Sequence, residues 1–342
     1  MNTQGWEDFL RRGIDAGAYS CYAAAVGRGK ELFFKSIGGD RTCSPERLPL
    51  TENTLFDLAS LSKLIGTTFA ALRLMEQGKL RLADTLGDYF DDCYGKEDIT
   101  VKHLMTHTSG MAGYAPIWKM DITPADATDA ILAYPLAAPT GERVIYSCTG
   151  YIVLGKILEK ICGEPLDKIV KREVTEPLGM RDTLYCPSAD SVCAATENLC
   201  GVVHDENARF LGGVSGNAGL FSTLDDTISF AQMLSDGAMG YLDPKIFALA
   251  TTDHTKDLPD FSRGLGFLLY RGGDFVAGSQ MSLGSYGHTG FTGTSLFVDK
   301  ESGIFCILLT NRVHFGRDNQ AFFPYRRGFY DMVFSDIRGI IK

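Results

Sequence analysis

The sequence predicts a mixed α/β (α+β) fold: an antiparallel sheet assembled from both ends of the chain and flanked by helices, with a mostly helical insertion between. Three observations carry this. Two strand-like runs, "CYAAAVGRG" and "ELFFKSIGG", lie near the start, separated by a turn-like break at residues 27–30. Two more lie near the end, Ser295 to Val298 and Ile304 to Thr310, joined by a turn from Asp299 to Gly303. The middle shows helical periodicity, without the β-α-β alternation of a doubly wound sheet.

Taken in order, "MNTQGWEDFLRRG" reads as the first turns of an amphipathic helix. "SKLIGTTFAALRLMEQGKL" has apolar residues at helical spacing and stops at Gly78. "TGYIVLGKILEKICG" repeats the pattern and stops at Gly163, and "TLDDTISFAQMLSDG" opens on a Thr223 or Asp225 cap and ends at Gly237. A last helical segment is expected from Asn319 to about Ile337.

Composition narrows the function. At 342 residues, 45% hydrophobic and 22% charged, the chain reads as an ordinary globular protein able to bury a sizeable core. A net charge of -9 argues against nonspecific nucleic-acid binding, because phosphates would be repelled. No apolar run approaches the ~20 residues of a membrane helix. The N-terminus has no basic stretch followed by an apolar one, so a cytoplasmic location is expected and no membrane partner. The nine cysteines form no C-x-x-C pair and are expected as free, mostly buried thiols. The six histidines show no metal-ligand spacing, and neither glycine-rich nucleotide motif is present. No metal and no cofactor are expected.

No serine sits in G-x-S-x-G; Ser215 in "GGVSGNAG" fails at Asn217. The other serine signal is S-x-x-K, at Ser60-Leu61-Ser62-Lys63. If a helix starts at Ser60, positions i and i+3 share a face and Lys63 reaches the Ser60 hydroxyl. Lysine alone is a poor base: its pKa of ~10.4 would have to fall by roughly three units. Tyr146 in "VIYSCTGY" is a candidate partner, since a phenol beside an ammonium favours its phenolate and can relay a proton. Ser147 beside it reads as a spacer, and Cys148 as a weak candidate nucleophile. The third element is His288-Thr289-Gly290, where an edge strand could offer the Phe291 N–H to an oxyanion, and Gly290 and Gly293 allow close backbone approach.

The order Ser60-x-x-Lys63, Tyr146-Ser147-Cys148, His288-Thr289-Gly290 resembles the serine hydrolases of the class C β-lactamase-like family, which includes D,D-carboxypeptidases, D-aminopeptidases and family VIII carboxylesterases. "LMTHTSGM", "VHDENARFLGGVSGNAGLFSTLDD" and "GHTGFTGTSLFVD" extend the similarity over roughly residues 5 to 335. The resemblance implies a β-lactamase/D,D-peptidase-like fold, with a mixed domain from residues 1–74 and 201–342, a mostly helical domain from 75–200, and the active site between them. It implies Ser60 as nucleophile, Lys63 as the residue that shares its proton, and Tyr146 as general base. The Ser60 and Phe291 N–H groups would form the oxyanion hole and His288 would line the pocket. His107 and His204 read as structural.

Two departures qualify the resemblance. Cys148 stands where the family usually has Asn in Tyr-x-Asn, and a thiol is a weak hydrogen-bond partner. His288 stands where β-lactamases carry Lys and is mostly uncharged at pH 7. Both point away from amide-bearing substrates. The expectation is an acyl-enzyme hydrolase of small esters. The alternatives are a β-lactamase or D-amino-acid peptidase, an acyltransferase, and a slow-acylating binding module.

Overall fold

The computed structural model describes residues 1–341. The main sheet has the strand order β3-β2-β1-β10-β9-β8-β7. Its strands are β1 (Cys21–Arg28), β2 (Glu31–Thr42), β3 (Leu48–Pro49), β7 (Leu268–Leu269), β8 (Tyr286–Thr289), β9 (Ser295–Val298) and β10 (Ile304–Thr310). The ends of the chain meet as expected: β1 pairs antiparallel with β10 from Tyr22↔Thr310 to Arg28↔Ile304. The β9–β10 hairpin has the predicted bounds.

β1 as far as Gly27 and β10 as far as Leu309 are continuously apolar because both faces are covered. Successive side chains point to opposite faces, so Tyr22, Ala24 and Val26 join Cys306 and Leu308 in one core. Cys21, Ala23 and Ala25 join Ile307 and Leu309 in the other. The first core is closed by α1 (Thr3–Asp15) and the C-terminal α10 (Phe322–Ile341), through Trp6, Leu10, Phe329 and Tyr330. The second continues into the helical middle of the chain.

That middle contains α2 (Phe69–Glu76), α3 (Val101–Met105), α4 (Ala127–Ala133), α5 (Cys148–Cys162) and α6 (Leu166–Val170). α7 (Glu206–Phe210), α8 (Leu224–Ser235) and α9 (Pro244–Ala250) follow. The stops are where the glycines place them: Gly163 caps α5 at φ 67°, and Thr223 accepts the Asp226 N–H at the start of α8. A second, three-stranded sheet has the order β4-β6-β5, made of β4 (Phe56–Asp57), β5 (Leu184–Tyr185) and β6 (Leu220–Ser222). β5, from the helical segment, pairs with β6, so the two parts of the chain share a sheet.

Several details differ from the sequence expectations. α10 begins at Phe322, three residues after Asn319. β8 is not an edge strand, because β7 pairs with its Tyr286–Gly287 end. Two-residue strands such as β7 carry no periodicity to read. All nine cysteines are free, but they are not mostly buried: Cys21, Cys93, Cys193 and Cys306 are, Cys43, Cys148 and Cys162 are partly so, and Cys186 and Cys200 are exposed. Among the described residues, no helix is long and apolar enough to cross a membrane and no side-chain cluster suits a metal ion.

Candidate active site

Ser60 sits in the turn after β4, one residue before the helical segment rather than in its first turn. The turn is tight: Ala59 is held at φ 45°, a left-handed conformation costly for a residue with a Cβ. Asp57 supports it by accepting the Ala59 N–H (2.8 Å) with one carboxylate oxygen and the His204 N–H (2.7 Å) with the other. The loop joining β8 to β9 is latched to the same stretch. Thr292 Oγ1 donates to the Asp57 carbonyl (2.7 Å) and Thr294 Oγ1 to the Leu58 carbonyl (3.0 Å). A Cβ at Gly290 would press on that Leu58 carbonyl, which is why glycine is needed there. Phe291 lies in this loop, beyond the strand from which its N–H was expected. The latch brings Ser60 and Phe291 to one cleft.

Lys63 opens a π-helical turn, Lys63–Thr68, that leads into α2, and it is fully buried. The i, i+3 reach holds although the helix starts late: Nζ donates to Ser60 Oγ at 3.0 Å. It also donates to the Asn217 carbonyl (2.8 Å) and to Cys148 Sγ (3.4 Å). Burial would lower its pKa, but Cys148 and Tyr146 outweigh burial and hold it above the ordinary lysine range. Lys63 is therefore an ammonium that donates hydrogen bonds; the downward shift a lysine base requires is not found.

Tyr146, Ser147 and Cys148 lead into α5. Ser147 is more than a spacer. It is the N-cap, with Oγ accepting the Gly150 N–H (2.9 Å) and contacting the Ala112 carbonyl. Its own N–H is accepted by His107 Nδ1 at 3.0 Å, and the His107 carbonyl accepts the Ile145 N–H at 2.8 Å. His107 thus grips the backbone on both sides of Tyr146, and its ring packs on the phenol at 4.7 Å between centroids. Burial keeps His107 well below the ordinary histidine pKa. His107, read from sequence as structural, makes these contacts with the Tyr146 segment. The Tyr146 ring also faces Lys63 Nζ (5.0 Å), His288 (5.9 Å) and the Arg263 guanidinium (5.4 Å).

His288 is almost fully buried, with Nδ1 placed 2.8 Å from the Thr289 carbonyl. Burial first, then the charges of Arg263 and Lys63, push it down to about 3, so it is neutral near pH 7. Around the Tyr146 ring the positive charge is therefore carried by Lys63 and Arg263. Arg263 is buried, and burial lowers its pKa. Sequence reasoning missed it, since a single arginine in "FSRGLGF" carries no motif. It also missed the Asn217 carbonyl, because a backbone acceptor leaves no mark in the residue type.

These groups line a cleft of about 690 Å³. Ser60, Tyr146, Cys148, His288, Thr289, Gly290 and Phe291 all reach it, so every residue expected to act on substrate except the enclosed Lys63 contributes to its wall. His204, read as structural, lines it too: its ring stacks on Phe291 (5.6 Å) and its Nε2 lies 2.9 Å from Glu197. The rim is aromatic, with Tyr114, Trp118, Phe261 and Phe291 at least 40% exposed.

A family model described as Beta-lactamase matches residues 6–327. An N-acetylmuramyl-L-alanine amidase of Bacillus subtilis (strain 168) is 34% identical, over 90% of this chain and 80% of that protein. An Escherichia coli (strain K12) protein provisionally named D-alanyl-D-alanine carboxypeptidase is 31% identical, over 77% of this chain and 70% of that one. Among solved structures, EstCE1, described as a hydrolase with promiscuous acyltransferase activity, superposes with a TM-score of 0.80 at 23% identity, covering 96% of this chain and 98% of that one. The octameric penicillin-binding protein homologue from Pyrococcus abyssi superposes at 0.77 with 22% identity, covering 99% and 78%.

Proposed function

The chain belongs to the beta-lactamase family of hydrolases, and on that premise we propose that it is a carboxylesterase working through an acyl-enzyme on Ser60. The carrying observation is the Lys63 ammonium, which donates to Ser60 Oγ (3.0 Å) and at the same time to Cys148 Sγ (3.4 Å). In the proposed cycle the Tyr146 phenolate takes the hydroxyl proton as Ser60 Oγ bonds to the ester carbon. The carbonyl electrons collect on an oxyanion facing the Ser60 and Phe291 N–H groups. Expulsion of the alkoxide breaks the ester C–O bond, and Tyr146 returns the proton to it. Water repeats the sequence to release the acid and free serine. The negative charge Tyr146 must carry before it takes a proton is faced by Lys63 and Arg263, both of which lie against its ring.

The ester preference follows from Cys148. An amide side chain there would both donate and accept hydrogen bonds to a bound amide; the thiol does either only weakly. A D,D-peptidase or amidase is the second reading, favoured by the names of the two sequence relatives. Turnover of p-nitrophenyl acetate and butyrate, compared with D-Ala release from a D-Ala-D-Ala peptide, separates the two. Ser60→Ala should lower either activity by several orders of magnitude, up to ~10⁶. Full activity in Ser60→Ala would refute the acyl-serine mechanism.

A further inference from the structure

The chain carries a net charge of -9, yet its cleft is lined by three buried arginines, Arg263, Arg312 and Arg326. Arg263 faces the Tyr146 ring. The other two form a pair of their own. Arg312 follows β10 and Arg326 lies in α10, and both guanidiniums rest on the ring of Phe323, at 5.1 and 5.4 Å from its centre. They are only 4% and 6% exposed.

Their hydrogen bonds do not use up their donors. Arg312 gives Nε to the Phe291 carbonyl (2.8 Å) and Nη1 to the Arg317 and Asn319 carbonyls (3.2 and 3.0 Å), leaving Nη2. Arg326 gives Nε to the Val276 carbonyl (2.8 Å); among the described residues its two Nη groups have no protein acceptor. The acids at the cleft are engaged elsewhere. Glu206 pairs with Arg317 (2.7 Å), and Asp205 accepts the Ala208 N–H (2.8 Å) at the start of α7. Asp318 acts on Arg312 only through its field. Two buried cations sharing one ring repel each other, and the ring compensates their lost hydration only in part. A bound oxyanion would supply the missing counter-charge and the missing acceptors.

We infer that Arg312 and Arg326, clamped on Phe323, form an anion subsite, so that the substrate carries a carboxylate away from the bond that is cleaved. This rests on the esterase reading above and adds the charge of the substrate to it. Arg312 also ties the subsite to the loop that carries Phe291, through the Phe291 carbonyl.

The test compares matched pairs at low salt. Mono-p-nitrophenyl glutarate is set against p-nitrophenyl valerate, and the butyryl ester of 4-hydroxybenzoate against that of 4-hydroxybenzamide. The first pair places the charge on the acyl side, the second on the leaving group. In at least one pair the wild type should favour the anion in kcat/KM by roughly 10- to 100-fold, as charged hydrogen bonds allow. The preference should shrink at high salt and collapse in Arg326→Gln. Equal turnover within both pairs, or a preference that survives in folded Arg326→Gln, overturns the subsite. If Arg326→Gln does not fold, the wild-type ratio and its salt dependence decide. If the wild type turns over no ester at all, the esterase reading fails, and calorimetry with glutarate against glutaramide still judges the subsite. Selective glutarate binding sustains it; equal or absent binding overturns it.

Discussion

Lys63 Nζ donates to Cys148 Sγ at 3.4 Å, the longest of its three hydrogen bonds. Cys148 also lines the cleft, so position 148 touches both Lys63 and anything bound beside it. Cys148→Asn would give that side a stronger acceptor toward Lys63 and a donor toward substrate. The expected result is a rise of roughly tenfold in the ratio of amide (or β-lactam) to ester turnover, the worth of about one good hydrogen bond. Parallel assays with nitrocefin and p-nitrophenyl butyrate measure it. An unchanged ratio would mean that this position does not set the substrate class.

His107 should matter without touching the reacting atoms. It sits at φ 59°, and its Nδ1 accepts the buried Ser147 N–H. His107→Ala leaves that donor unpaired, at a cost of roughly 1–3 kcal/mol in stability. It should also lower kcat more than it raises KM, because Tyr146 loses its support. His107→Asn, which tolerates the left-handed conformation and offers an acceptor, should recover part of both. Equal losses in the two variants would argue against this account.

Asp57 gives the fold a pH dependence. Burial, partly offset by the His204 and Ala59 N–H groups, raises its pKa to about 6 from 3.8. Between those values the folded state binds more protons than the unfolded one. This contribution to stability is therefore present below about pH 4 and lost as pH rises through 6, amounting to on the order of 3 kcal/mol. Thermal melts of wild type and Asp57→Asn from pH 4 to 7 measure the difference. The wild type should lose stability relative to the variant across that range, and parallel curves would contradict the assignment.

Gly290→Ala should damage the site from a distance of one residue. The added methyl would press on the Leu58 carbonyl and on Thr294 Oγ1, parts of the latch between the Ser60 turn and the Phe291 loop. A loss of about 1–3 kcal/mol in stability is expected, with kcat reduced well beyond what partial unfolding explains. Urea denaturation and activity at a temperature where the variant is folded separate the two effects.

The sequence alone carried the strands that join the two ends of the chain, the helix stops at Gly163 and Gly237, and the Ser60-Lys63 spacing. These are local signals: short continuous apolar runs, glycine at left-handed caps, and i, i+3 reach along a helix. It also singled out Tyr146, Cys148 and His288, which share one cleft wall although 228 positions (288 − 60) separate His288 from Ser60. Tertiary structure alone decided the charge state of the site. Lys63 remains an ammonium because of Cys148 and Tyr146, and His288 is neutral because it is buried beside Arg263 and Lys63. Ser147 became a cap, His107 a brace for Tyr146, and the Asn217 carbonyl a lysine acceptor. The three buried arginines of the cleft lie outside all three catalytic motifs. Their field depends on which carboxylates folding brings near, and residue spacing does not encode that.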